Sequence, residues 1–357
     1  MNGTTDAPRV STPAPPAPVR LPVRPAWLAL RREDIIAPAL PIVDAHHHLW
    51  DLPGNRYLFG DLLDDAASGH NVIATVFMQS HAHFRETGDI DLRPVGETAF
   101  ANAVAEESAG GAHGRFRACA GIVGEANLLL GDRVARVLEA HVEAGGGRFR
   151  GVRHLSNWHA DPAARGTGNA PPGLLLDPVF RAGFARLAPL GLSFDAWMYH
   201  TQLDDAGALA AAFPQTTIVL DHAGGPIGVG PYAGRRDEVF AAWRASIRKL
   251  ARHPNVCVKL GGLGMRLFGA AFHEQPAPPP SQELAAAWRP WLETAIEAFG
   301  PGRAMFESNA PVDKGTCSYH VLWNAFKRVT AGASAEDQAA LFAGTATRVY
   351  RLELPAA

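Results

Sequence analysis

Three consecutive histidines, His46, His47 and His48, follow the apolar run Leu40–Asp44. In extended backbone residues i and i+2 share a face, so His46 and His48 point one way and His47 the other. Two imidazoles converging at a strand end make half a metal site; the plain alternative is a stacked or solvated histidine cluster. His200 comes after Asp195-Ala196-Trp197-Met198-Tyr199, and His222 after Val219-Leu220-Asp221, just before Ala223-Gly224-Gly225-Pro226. A lone histidine after a strand is ordinarily a packing residue, but several at strand ends shift the balance, and the glycines beside His222 allow close approach of backbone or ligand. A further polar cluster, Glu307, Ser308, Asn309 and Asp313, follows Ala304–Phe306. A catalytic acid or base fits there; Asn and Pro also suit an ordinary turn.

These residues need a scaffold that brings strand ends together. Apolar runs rich in Val, Ile, Leu and Phe occur at Leu40–Asp44, Val72–Met78, Phe116–Val123, Phe149–Arg153, Leu192–Ala196, Thr217–Asp221, Val256–Leu260 and Ala304–Phe306. Between and after them, helical spacing predicts helices over Val95–Ser108, Arg133–Ala144, Pro178–Leu187, Leu203–Phe213, Asp237–Ala251, Ser281–Phe299, Tyr319–Thr330 and Ala335–Phe342. Eight strand-helix units make an α/β chain with the arithmetic of a (β/α)8 TIM barrel, whose active site lies at the C-terminal strand ends. The competing doubly wound sheet usually carries a glycine-rich turn after its first strand, where this chain has histidines. Residues 27–357 are thus expected to form one barrel domain, and residues 1–26, with seven prolines, a disordered or extended arm.

Composition narrows the function. With 33 Lys and Arg against 35 Asp and Glu, the net charge of -2 supplies no basic field for nucleic acid or acidic membrane. The three cysteines, Cys119, Cys257 and Cys317, form no CxxC pair, which argues against a disulfide framework or a thiolate zinc site and fits a reducing cytoplasm. Prolines interrupt every apolar run of the arm, so no secretory signal is read there, and no stretch reaches membrane-span length.

The chain resembles the amidohydrolase superfamily, in its amidohydrolase-related branch of TIM-barrel metal-dependent hydrolases and lactonases. The resemblance rests on Asp44-Ala45-His46-His47-His48, Gly151-Val152-Arg153, Leu220-Asp221-His222-Ala223-Gly224, Asn255–Leu263, Met305–Asp313 and Thr347–Leu352. It implies metal ligation by His46 and His48, with His200 as the fifth-strand ligand, and places His222 near the hydrolytic water or substrate. Relatives usually carry Gly-Ser-Asp-x-Pro after the eighth strand, with the Asp as ligand and base. This chain has Glu307-Ser308-Asn309-Ala310-Pro311, so the position is Asn309, whose amide accepts no proton near neutral pH. The base is then sought among Glu307, Asp313 and His222.

The expected reaction is hydrolysis of a small lactone or related cyclic ester by a carboxylic ester hydrolase, with or without a divalent metal, Zn²⁺ first and Mn²⁺ as the alternative. Arg153 is placed to hold a substrate carboxylate by paired hydrogen bonds, and His154, Tyr199 and Lys259 are further candidates for substrate contact. The alternatives are a metal-dependent decarboxylase of an aromatic or unsaturated acid, and a non-catalytic, ligand-binding barrel. The loops Ser156–Gly173 and Met265–Ser281 are long enough to shape the pocket, and His81 and His83 alternate after the second strand. The partner is a small-molecule substrate, not nucleic acid or membrane; a homo-oligomer is compatible with the outer helices.

Overall fold

The computed structural model describes residues 20–166 and 170–355. Eight strands, β1 (Pro41–His47), β2 (Asn71–Met78), β3 (Arg117–Gly124), β4 (Phe149–Val152), β5 (Ser193–Ala196), β6 (Ile218–Leu220), β7 (Val256–Leu260) and β8 (Ala304–Phe306), form one sheet in chain order. Every neighbouring pair in it is parallel. The ring is drawn shut beyond the end of β8, where His48 N–H donates to the Ala310 carbonyl and Asn309 N–H to that of His46. The fold is a (β/α)8 TIM barrel, as the alternation of runs implies.

A helix follows each strand: α1 (Phe59–Ala66), α2 (Val95–Ala109), α3 (Ala135–Ala144), α4 (Pro178–Phe184), α5 (Leu203–Ala212), α6 (Arg236–Leu250), α7 (Ser281–Phe299) and α8 (Tyr319–Val329). Strands covered on the outside by helices and filled on the inside read as continuous apolar runs rather than alternating ones. The outer layer packs residues such as Ile42, Phe77, Phe194, Trp243 and Trp288. Inside the ring lie Val43, Ala45, Val76, Met78, Val219, Cys257 and Met305, joined by Val349, Tyr350 and Leu352 from the C-terminal segment. That closing segment plugs the ring from below, with Leu352 against Gly121 and the Tyr350 hydroxyl donating to Asp195 at 2.5 Å. All three cysteines are free and buried.

The stretch expected as an arm lies outside the described residues up to residue 19. From Arg20 on, the chain instead packs on the barrel: Leu21 is buried against Gly315, and Pro25–Leu28 forms a helical turn. Hydrogen bonds from Arg24, Trp27 and Arg31 to the carbonyls of His273, Gln275 and Pro278 tie this strap to the loop after β7. Pro22 and Pro25 suit an extended lead into a short helix, because proline fixes φ and needs no N–H partner at a first turn.

His141 is buried and serves the scaffold. On α3, it donates from Nε2 to the Glu125 carbonyl, which leaves Nδ1 to accept from the Thr98 hydroxyl of α2. Burial pushes its pKa from 6.5 down to about 4. The unfolded chain protonates this ring below pH 6.5 while the folded one resists, so the stability it carries is complete above pH 6.5 and is lost as pH falls toward 4. The rate is about 1.4 kcal/mol per pH unit. The destabilisation caused by His141→Gln, measured by urea unfolding, should therefore be about 2 kcal/mol smaller at pH 5 than at pH 7.5. Equal penalties at the two pH values would show that the ring titrates normally.

Candidate active site

A register shift in β1 between Asp44 and His47 sends His47 outward, where its Nε2 meets the Thr75 hydroxyl at 2.8 Å, and turns His46 and His48 to the mouth. Each mouth histidine has its Nδ1 engaged. His48 donates from Nδ1 to the Met78 carbonyl at 2.9 Å, and His46 Nδ1 lies 2.8 Å from Glu307 Oε2. Partners of this kind fix the tautomer and present the other nitrogen. The two Nε2 atoms face each other at 3.2 Å. Burial is the first cause that keeps both rings neutral: His46 is lowered to about 4, and His48 falls well below its ordinary value.

The site's floor is a buried ion cluster. Lys259, on β7, has no exposure and pairs with Asp195 of β5 at 2.6 Å and with Asp221, just past β6, at 3.0 Å. Its ammonium also lies 3.4 Å from His46 Nδ1. Burial alone would raise the pKa of Asp221, but the charge of Lys259 and the proximity of His46 hold it well down. Arg153 at the end of β4 reaches over the same group, with Nη1 3.5 Å from Asp221 and 3.3 Å from His46 Nε2, and Nη2 donating to the Gln79 carbonyl.

His222 and Glu307 form a dyad. The Glu307 carboxylate accepts from the His222 backbone N–H at 3.0 Å and from its Nδ1 at 2.7 Å. Burial opposes the charge of Glu307, yet His222 and His46 hold its pKa below the ordinary carboxylate value. The dyad requires the glycines after β7: a Cβ on Gly261 would lie 2.4 Å from the Glu307 side chain, and one on Gly262 2.5 Å from that of His222. His222, Ala223 and Asn309 all have positive φ, at 54°, 51° and 52°. Such left-handed backbone costs about 1–3 kcal/mol per residue and collects at sites whose surroundings enforce it.

Asn309 donates from Nδ2 to Asp313 at 2.9 Å, and its buried Oδ1 has no hydrogen-bond partner among the described residues. Asp313 sits behind it, accepting also from Gly264 N–H, and burial raises its pKa to about 7.

The mouth pocket is lined by His48, Arg153, Tyr199, His222 and Asn309 from the sequence-derived set, together with Arg20, Gln79, His81, Trp197, Met265 and Arg266. Three expectations are corrected. His200 does not join the mouth histidines: its Nδ1 accepts from Ile227 N–H and its ring packs edge-on against Tyr232, because β5 ends at Ala196 and the chain has turned by residue 200. Lys259 does not face substrate, its charge being taken up by two carboxylates. His154 turns outward, accepting from Leu128 N–H against Phe180. Of the second-strand pair, His81 lines the pocket and pairs with Glu125, whereas His83 stacks on Phe100. Sequence reasoning passed over Asp195 and Asp221, although Asp221 sits beside His222 in the motif that was read. Arg20 and Trp197 carried no local signal.

The donors fit a divalent cation. His46, Asp221 and His222 offer ligand atoms within 4.8 Å of one another. The facing nitrogens of His46 and His48 suit a tetrahedral ion better: Zn–N bonds of about 2.0–2.1 Å set an N–N separation of about 3.3–3.4 Å. On the Nδ1 side of His46 the cation position is already taken by Lys259. Replacing that lysine by the similarly shaped Lys259→Met would leave Asp195 and Asp221 as adjacent buried charges. A loss of about 3–5 kcal/mol in urea-measured stability is expected at pH 7.5; a loss below about 1 kcal/mol would show that the carboxylates do not depend on the ammonium.

Comparison with known proteins agrees with this architecture. The amidohydrolase family profile matches residues 43–352. A Sinorhizobium fredii protein, y4mH, is 35% identical, with 88% of this chain and 99% of that protein covered. An L-fucono-1,5-lactonase of Burkholderia multivorans is 30% identical, covering 88% of this chain and 97% of the relative. The crystal structure of a Burkholderia multivorans amidohydrolase with bound zinc superposes with a TM-score of 0.66 at 28% identity, covering 87% of this chain and 99% of that one. A family match that runs across the barrel, from residue 43 to residue 352, makes this chain a member of the amidohydrolase family.

Proposed function

We propose that the protein hydrolyses a small lactone or related cyclic ester that carries a carboxylate. The observation that carries this reading is the His222–Glu307 dyad, set in a pocket that holds Arg153 and whose described lining includes no aspartate or glutamate. The L-fucono-1,5-lactonase named among the relatives supports the reaction class.

With Nδ1 held by Glu307, His222 has Nε2 left to exchange a proton. It takes the proton from a water as the water oxygen bonds to the lactone carbonyl carbon, and returns it to the ring oxygen as the C–O bond breaks, yielding a hydroxy acid. Glu307 does not serve as the base, since His222 and His46 hold its pKa below the ordinary carboxylate value, which makes it a weak proton acceptor, and it is already hydrogen-bonded to His222. Asn309 contributes hydrogen bonds and no proton transfer. Asp313 can exchange a proton near neutrality but lies behind Asn309, away from the described pocket lining. Arg153 orients the anionic substrate with its planar guanidinium. A divalent ion held by His46 and His48, Zn²⁺ first and Mn²⁺ as the alternative, would supply Lewis acidity toward the carbonyl and a lowered pKa for bound water.

Purified protein given parallel panels of lactones and aromatic carboxylic acids should release acid from a lactone and no carbon dioxide; carbon dioxide from the acids would overturn the hydrolase reading. His222→Asn should lower kcat by about 10²–10⁴-fold with little change in KM. Elemental analysis alongside His46→Ala tests the ion: metal retained by the wild type should be lost from the variant. Equal metal content would place any ion elsewhere.

A further inference from the structure

We propose that Arg20, carried on the N-terminal strap, is a specificity-determining residue that holds the substrate's carboxylate at the mouth of the pocket, opposite the reacting ring. The inference rests on the lactone reading and adds a second anion contact to Arg153. Arg20 lies outside the span matched by the family, which begins at residue 43. It nevertheless lines the same pocket as His48, His222 and Arg153.

Arg20 is held in place from two sides. Its guanidinium stands 4.8 Å from the centroid of Trp50, whose ring also stacks on His48 at 5.3 Å. Leu21, the next residue, is anchored in the space left by the missing side chain of Gly315. The strap is fastened to the loop after β7, which brings Arg266 to the same pocket. Neither Arg20 nor Arg266 makes an ion pair or a side-chain hydrogen bond among the described residues, whereas Arg153 spends part of its charge on Asp221. Burial first, and then the like charge of Arg153, pull the pKa of Arg20 below the ordinary arginine value. Three guanidiniums gathered around one pocket without a lining carboxylate repel one another, and an anion relieves that repulsion while accepting their forked hydrogen bonds.

The test uses the full chain and two six-membered lactones of equal ring size, 2-oxooxane-6-carboxylate and its neutral carboxamide. In Arg20→Ala the ratio of kcat/KM for the carboxylate over the carboxamide should fall about tenfold or more, chiefly through KM for the carboxylate. Arg20→Lys should recover part of the ratio, since it keeps the charge and loses the fork. Arg115→Ala, an exposed position just before β3 at the opposite end of the barrel, should leave the ratio at the wild-type value. An unchanged ratio in Arg20→Ala, or an equal fall for both lactones, would overturn the proposal. If the wild type turns over neither lactone, the hydrolase reading is at fault, and thermal stabilisation by glutarate decides the anion site separately. Saturable stabilisation that weakens about tenfold in Arg20→Ala upholds it, and stabilisation that is absent from the wild type or equal in the variant rejects it.

Discussion

Everything at the mouth rests on one buried ion cluster: Lys259 between Asp195 and Asp221, capped below by the Tyr350 hydroxyl and above by His46. Charges removed from water cost several kcal/mol each unless geometry and further hydrogen bonds compensate. Here each charge comes from a different strand, so the barrel must close in register before the compensation exists. The C-terminal segment is part of that condition, because Tyr350 fills the ring from below and supplies one of the hydrogen bonds. The cluster fixes the electrostatic sign of the floor. Lys259 helps to keep His46 neutral and Asp221 ionised, and a neutral imidazole with a directed lone pair is what ligand or proton chemistry needs.

The second organising constraint is the use of Nδ1. In His48 and His222 that nitrogen is committed to the Met78 carbonyl and to Glu307, and in His46 it lies between Glu307 Oε2 and the Lys259 ammonium. The three rings consequently present Nε2 as a set. Glu307 is the hinge of this arrangement, serving His46 from one oxygen and His222 from the other. That role accounts for a carboxylate two residues before Asn309. The acid at the end of β8 orients the rings, and the amide two residues on, at the pocket edge, donates to Asp313 behind it.

The periodicity of eight apolar runs was enough to read the barrel, because a strand buried on both faces has a composition that no loop shares. Strand-end positions then brought His46, His48, His222, Arg153 and Asn309 to one mouth. His200 was misplaced for a local reason: β5 stops at Ala196, and a turn intervenes before residue 200. Lys259 and His154 were misread because side-chain direction within a short strand, and the depth of its ring, are decided by neighbours far away in the chain.

By itself, then, the sequence determined the architecture, the histidine pair of β1 and the polar segment Glu307–Asn309 after β8. All of these are local facts of residue type, spacing and period. Only the tertiary structure decided which charges neutralise one another, which ring nitrogens face the pocket, and that residue 20 shares a pocket with residues 153 and 222. Such pairings depend on distances across the ring between segments tens to hundreds of residues apart, and no local pattern encodes them.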